Sequence, residues 1–125
     1  MINGLHALVY SPAAEQVRAF FRDTLGFASV DAGHGWLIFG LPPSELGVHP
    51  TDQPGGAPKH ELYLMCDDIN ATIAELRAKG VEFTGEVQNA GFGLVTAIKL
   101  PGGGELGLYE PRHPTALHLA SQGKR

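Results

Sequence analysis

The chain has 125 residues, of which 43% are hydrophobic and 18% charged. A chain of this size and balance buries about two-thirds of its unfolded surface in a single domain, which excludes a multidomain machine and a disordered protein. The net charge of −4 and pI near 5.8 provide no basic field for phosphates and speak against a nucleic-acid partner. The lone Cys66 rules out an internal disulfide, and Met1-Ile2-Asn3-Gly4 opens with neither a basic start nor an apolar run. No window reaches the roughly 18 uninterrupted apolar residues of a membrane span. The expectation is a soluble, cytoplasmic protein with no membrane partner.

The 17 Gly and 9 Pro divide the sequence into pieces suited to strands and short helices. Residues 5–10 form an apolar run read as a buried strand. Ser11-Pro12 predicts an N-cap and a proline at the first position of a helix, with Val17, Phe20, Phe21, Thr24 and Leu25 on one face and Gly26 at its end. Strands are expected at 27–31, 35–41 and 45–50, and 51–58 reads as a linker. Beyond it the order recurs. Residues 60–66 read as a strand, Asp67 or Asp68 caps a helix carrying Ile69, Ile73 and Leu76, and Gly80 closes it. Further strands are expected at 81–84, 93–100 and 105–110. The stretch 88–93, holding Phe92 between two glycines, reads either as a mobile lip or as a plain hairpin loop, and the tail from 112 as a frayed end.

Each of His6 and His60 is followed 20 residues later by a helix-ending glycine, Gly26 or Gly80, so the halves superpose at an offset of 54. The repeat unit is strand, helix, then three strands. One unit alone leaves a sheet face exposed, so two must pair. The predicted class is α+β, with βαβββ modules at 1–52 and 58–112 and a tail at 113–125.

These two units, the histidine in each first strand, the run Cys66-Asp67-Asp68-Ile69, the helix end 76–81 and the closing stretch 100–111 resemble the vicinal-oxygen-chelate superfamily. That group contains glyoxalase I, bleomycin-resistance and fosfomycin-resistance proteins and extradiol dioxygenases. The resemblance implies a cupped mixed sheet around a cavity, often a divalent metal, and commonly a homodimer.

By that resemblance the first strand of each half gives one metal ligand and the last strands give carboxylates. His6 and His60 match the first-strand positions. Two imidazoles and a carboxylate suit iron, manganese, nickel or zinc and leave positions open for a chelating substrate. Each histidine alone equally fits a core imidazole bonded to a carbonyl or a water. The glutamate expected in the last strand falls on Gly107, which has no ligand atom, and Gly47 takes the equivalent place in the first half, so the metal implied is a weakened one. His49 and Glu105 are the candidate substitute ligands, the one fitting also a solvated strand-end histidine and the other a solvated rim charge. Glu105 and Tyr109 share Gly107's side of a strand, and Glu45 shares a side with His49 but lies about 13 Å from it, too far for one ion to take both. Cys66 reads as a small hydrophobe at a strand end, and His34, His113 and His118 lack a ligand's setting.

Two functions follow, beside a third reading as a small scaffold with no retained site. One is a metal enzyme, by resemblance a lyase or isomerase or an extradiol-type dioxygenase, whose ion serves as Lewis acid or oxygen-activating centre. The other is a metal-free protein whose cavity, lined by Trp36, Phe92 and Tyr109, holds and sequesters an aromatic or antibiotic-like small molecule.

Overall fold

The computed structural model describes residues 6–47, 55–57 and 60–118. The chain divides into two compact units, Met1–Phe39 with Leu100–Gly104, and Gly40–Lys99 with Glu105–Arg125. The secondary structure is mixed α and β, with two sheets.

In the first unit, helix α1 (Ala14–Ala19) runs into a π-helical turn, Phe20–Thr24. Ser11 does not cap it as expected. Its hydroxyl accepts the Ala13 N–H at 3.0 Å, and Ala13 itself stands at the cap position. The wide turn ends where the Leu25 N–H donates to the Phe20 carbonyl at 3.1 Å, and Gly26, at φ 75°, supplies the left-handed residue that turns the chain out. Phe21 packs against Phe20, Phe27 and Phe39, with ring centroids 5.6 to 6.0 Å apart. Strands β1 (Ser29–Asp31) and β2 (Leu37–Phe39) pair antiparallel, with Val30 opposite Ile38. In the connecting turn, the Asp31 carboxylate accepts the N–H groups of Gly33 and Gly35.

The strand expected at 5–10 is not formed in its described part, 6–10, and the stretch is exposed throughout. Its apolar composition is that of a strand, but among the described residues it has no ladder to join. The strand expected at 45–50 is likewise absent at 45–47, the rest lying outside the described residues.

The second unit follows the expected order closely. It comprises β3 (Tyr63–Met65), α2 (Ile69–Ala78), β4 (Phe83–Asn89), β5 (Gly93–Lys99) and β6 (Glu105–Pro111), with sheet order β3-β6-β5-β4. β3 is parallel to β6 and the other pairs are antiparallel, so α2 is the crossover that a parallel pair requires. Asp68 caps α2 by accepting the Ala71 N–H at 3.1 Å, an interaction that contributes about 1 kcal/mol. Glu110, reaching from β6, accepts the Ile69 N–H at 2.9 Å and fixes the helix start to the sheet. Gly80, at φ 89°, ends the helix.

The core lies on the helix side of this sheet. Ile69, Ile73 and Leu76 of α2 are buried, as are Ile98, Leu106 and Leu108 of β5 and β6. Because strand side chains alternate, Tyr63, Val95, Ala97, Gly107 and Tyr109 project from the opposite, open face. β4 is longer than the expected 81–84. Three residues, 85–87, stand opposite the single Thr96, and Gly85 takes φ 73°, so the sequence signals of a turn belong here to a bulge within one strand. The Thr96 hydroxyl opposite the bulge is buried without a hydrogen-bond partner. The stretch 88–93 is a tight hairpin, closed where the Ala90 N–H donates to the Gly93 carbonyl and the Gly91 N–H to Asn89 Oδ1, each at 2.9 Å.

Candidate functional site

Tyr109 stands at the centre of the open face. The Tyr63 ring meets it edge to face at 5.6 Å and 88°, and the Phe92 ring at 5.6 Å and 84°, so three aromatic rings from β3, the β4–β5 turn and β6 form one wall. Such edge-to-face pairs add about 0.5–1.5 kcal/mol each beyond their buried area. Tyr63 lies directly across from Gly107 in the parallel ladder, and its ring covers that glycine. A Cβ at Gly107 would overlap the ring, with Tyr63 Cε2 at 2.7 Å. Only hydrogen fits there.

The polar end of the wall is the Tyr109 hydroxyl. It lies 2.8 Å from His113 Nε2 and 3.3 Å from Glu45 Oε2. Glu45 Oε1 accepts the Ala116 N–H at 2.7 Å, and the Glu45 side chain is only 15% exposed. His113 Nδ1 lies 2.8 Å from the Pro114 carbonyl, which can only accept, so Nδ1 carries a proton. Burial, followed by the charge and hydrogen bond of Glu45, raises the Tyr109 pKa, which keeps the phenol neutral. The Tyr63 hydroxyl donates to Glu61 Oε1 at 2.8 Å, and that bond, with burial, raises its pKa too.

Of the residues singled out in the sequence, Phe92 and Tyr109 come together here. Trp36 belongs to the first unit, beside β2, 60% exposed with the Arg18 guanidinium 4.7 Å over its ring. His6 is exposed on the unpaired stretch of that unit, and His60 is exposed three residues before β3, so neither lies within a strand. Glu105 is exposed at the start of β6, two pleats and about 13 Å from Tyr109. His49 lies outside the described residues. Cys66 sits at the strand end, its Sγ 3.6 Å from the Tyr109 carbonyl, and burial raises its thiol pKa. Among the described residues, no three His, Cys, Asp or Glu side chains stand close enough to share an ion. With the Gly107 position filled by the Tyr63 ring, the described side chains of this face do not fit a divalent metal.

Sequence reasoning missed Tyr63 and His113. Tyr63 shares a face with Met65 along β3, but its place opposite Gly107 depends on strand register. By sequence, His113 falls in the stretch expected to be a frayed end. Instead, residues 112–116 are tied down, the Arg112 N–H donating to the Phe92 carbonyl at 2.8 Å and His113 and Ala116 holding Tyr109 and Glu45. A cavity of about 240 Å³ lies on the other side of the sheet, lined by Asn70, Arg77, Phe83 and Thr96 among others. It is smaller than the roughly 300–1,000 Å³ of ligand pockets and contains none of the expected site residues.

Several solved structures are similar to the chain over most of its length. One is TnmS3, an antibiotic binding protein from Streptomyces sp. CB03234, 27% identical with a TM-score of 0.61, the match covering 88% of this chain and 97% of that one. A glyoxalase/bleomycin resistance protein from the same source is also 27% identical, with a TM-score of 0.53 over 81% and 94% of the two chains. A lactoylglutathione lyase from Agrobacterium tumefaciens shares the fold at 14% identity, with a TM-score of 0.61 over 86% and 92%. No curated protein sequence matches the chain. Residues 5–111 match the model of the glyoxalase/bleomycin resistance protein/dioxygenase superfamily, and the chain belongs to that family.

Proposed function

We propose that this protein binds and sequesters a small planar aromatic molecule without a metal. The observation that carries the reading is the Tyr63 ring packed on Gly107, where the family resemblance calls for a metal-binding glutamate. A ring there turns a metal position into part of an aromatic wall. The wall then offers stacking surface from Tyr63, Phe92 and Tyr109, and a hydrogen-bonding end at the Tyr109 hydroxyl. The likeness to an antibiotic binding protein at 27% identity supports the same reading. The half-buried Cys66 thiol, its pKa raised by burial, suits a reducing, cytoplasmic setting.

The protein acts as a homodimer in this proposal. The unpaired stretch 6–10 leaves Leu8 64% and Tyr10 89% exposed, apolar surface that a second copy would cover.

The test is metal content and binding measured side by side. Purified without chelator, the protein should hold far less than one equivalent of iron, manganese, nickel or zinc by mass spectrometry. It should bind 2-naphthol in calorimetry with the same affinity before and after EDTA, and Phe92→Ala should weaken that binding. Stoichiometric metal, or binding abolished by EDTA, would overturn the metal-free reading.

A further inference from the structure

The cavity between α2 and the bulge of β4 has a volume of about 240 Å³. That is too small for a drug-sized ligand, yet larger than the roughly 150 Å³ of an apolar cavity that accepts benzene. The bulge opens it. Residues 85–87 leave the ladder opposite Thr96, and Gly85, which lines the cavity, has nothing within 4 Å of where a Cβ would stand. Thr96 lines the same space at only 8% exposure, and its hydroxyl has no hydrogen-bond partner among the described residues. Buried hydroxyls in native folds are nearly always bonded, so the partner of this one comes from what fills the cavity. Two further donors line it. Arg77 is held 5.5 Å over the Phe83 ring, and Asn70 lies two turns earlier on the same side of α2. Among the described residues, neither side chain makes an ion pair or a hydrogen bond within the chain. Ile73, Phe83 and Val87 add an apolar wall.

Three donors, one of them a guanidinium, beside an apolar wall fit a carboxylate on a small apolar body. We infer that this cavity is a second binding site, on the face of the sheet opposite the aromatic wall, and that it takes a small monocarboxylate with a single-ring or short aliphatic body. Arg77 attracts the carboxylate, and Thr96 and Asn70 donate to its oxygens. Glu86 lines the bulge side and forms no ion pair among the described residues, so its charge repels a second negative group and disfavours dicarboxylates. The site stands apart from the binding proposed for the open face and does not depend on it.

The test is a titration of the isotope-labelled full chain with benzoate and with its neutral isostere benzamide at neutral pH, followed residue by residue by NMR. Benzoate should give saturable shifts at Ala74, Phe83 and Thr96 and bind about tenfold more tightly than benzamide. Thr96→Val removes a hydroxyl that has no partner in the chain, so the melting temperature should hold while benzoate affinity falls about tenfold. Thr96→Ser keeps the hydroxyl and should keep the affinity. Arg77→Gln, at an exposed helix position, should abolish the preference for benzoate over benzamide. Isophthalate should bind more weakly than benzoate in the wild type and gain on it in Glu86→Gln. Benzoate shifts only at Tyr63 and Tyr109, equal affinity for benzoate and benzamide, or no saturable binding because water alone fills the cavity, would each overturn the inference. A Thr96→Val chain that melts well below the wild type would overturn it too, by showing that the hydroxyl has a partner within the fold. Isophthalate binding as tightly as benzoate in the wild type would overturn the restriction to one carboxylate.

Discussion

The two repeats carry the same order of sequence signals and reach different degrees of completion. In the second, a ten-residue helix capped by Asp68 packs Ile69, Ile73 and Leu76 on a four-stranded sheet, and each strand between the edges is bonded on both sides. In the first, α1 has six residues without a side-chain cap, its sheet has two strands of three residues, and 6–10 lies unpaired. The difference shows that an apolar run is only half of a strand. The other half is a partner with a free ladder, and the second repeat holds its own partner in β6 while the first, among its described residues, holds none for 6–10.

That contrast can be broken most forcefully in the core. Ile98 is fully buried on β5, so Ile98→Ala should cost about 2–5 kcal/mol in urea unfolding. Val30 is exposed on β1, and Val30→Ala should stay within about 0.5 kcal/mol. Comparable losses at both would mean that the first repeat is as well closed as the second.

Gly107 sharpens the comparison on the open face. Gly107→Ala should cost about 1–3 kcal/mol because the new methyl meets the Tyr63 ring, and Tyr63→Ala in the same chain should recover part of that loss. Additive losses in the two substitutions would contradict the packing described.

The smallest effect concerns pH. The Tyr109 and Tyr63 pKa values are raised in the folded chain above the unfolded value of about 10. Their contribution to stability is therefore complete below pH about 10 and is lost as the pH rises through the folded values. Melting temperature should fall above pH about 10 more steeply in the wild type than in Tyr109→Phe. Identical slopes would show that Tyr109 is not linked to folding.

The second repeat was legible because its signals are local. Asp68, the 3–4 spacing of Ile69, Ile73 and Leu76, and Gly80 lie within a dozen residues and act within the helix they bound. β4 was cut short because Gly85 reads as a turn until Thr96, on another strand, shows that it belongs to a bulge. The site was legible in part. Phe92 and Tyr109 follow from the pattern of glycines and alternating residues, and Gly107 was recognised as a position without a ligand atom. That Tyr63 fills its place depends on a parallel register between strands more than 40 residues apart, which no local pattern carries. Glu45 and His113 meet at one phenol through folding of segments far apart in sequence, so neither composition nor spacing marks them as partners.

The most direct test of the proposed binding face is an amide and aromatic NMR titration with naphthalene, in EDTA. Saturable shifts should concentrate at Tyr63, Phe92, Val95, Gly107 and Tyr109, with the Trp36 indole, the single tryptophan signal, as the monitor of the first unit. Shifts confined to the helix side of the sheet, around Asn70, Arg77 and Thr96, or no saturable shift on the open face, would contradict the assignment of the aromatic wall as the binding site.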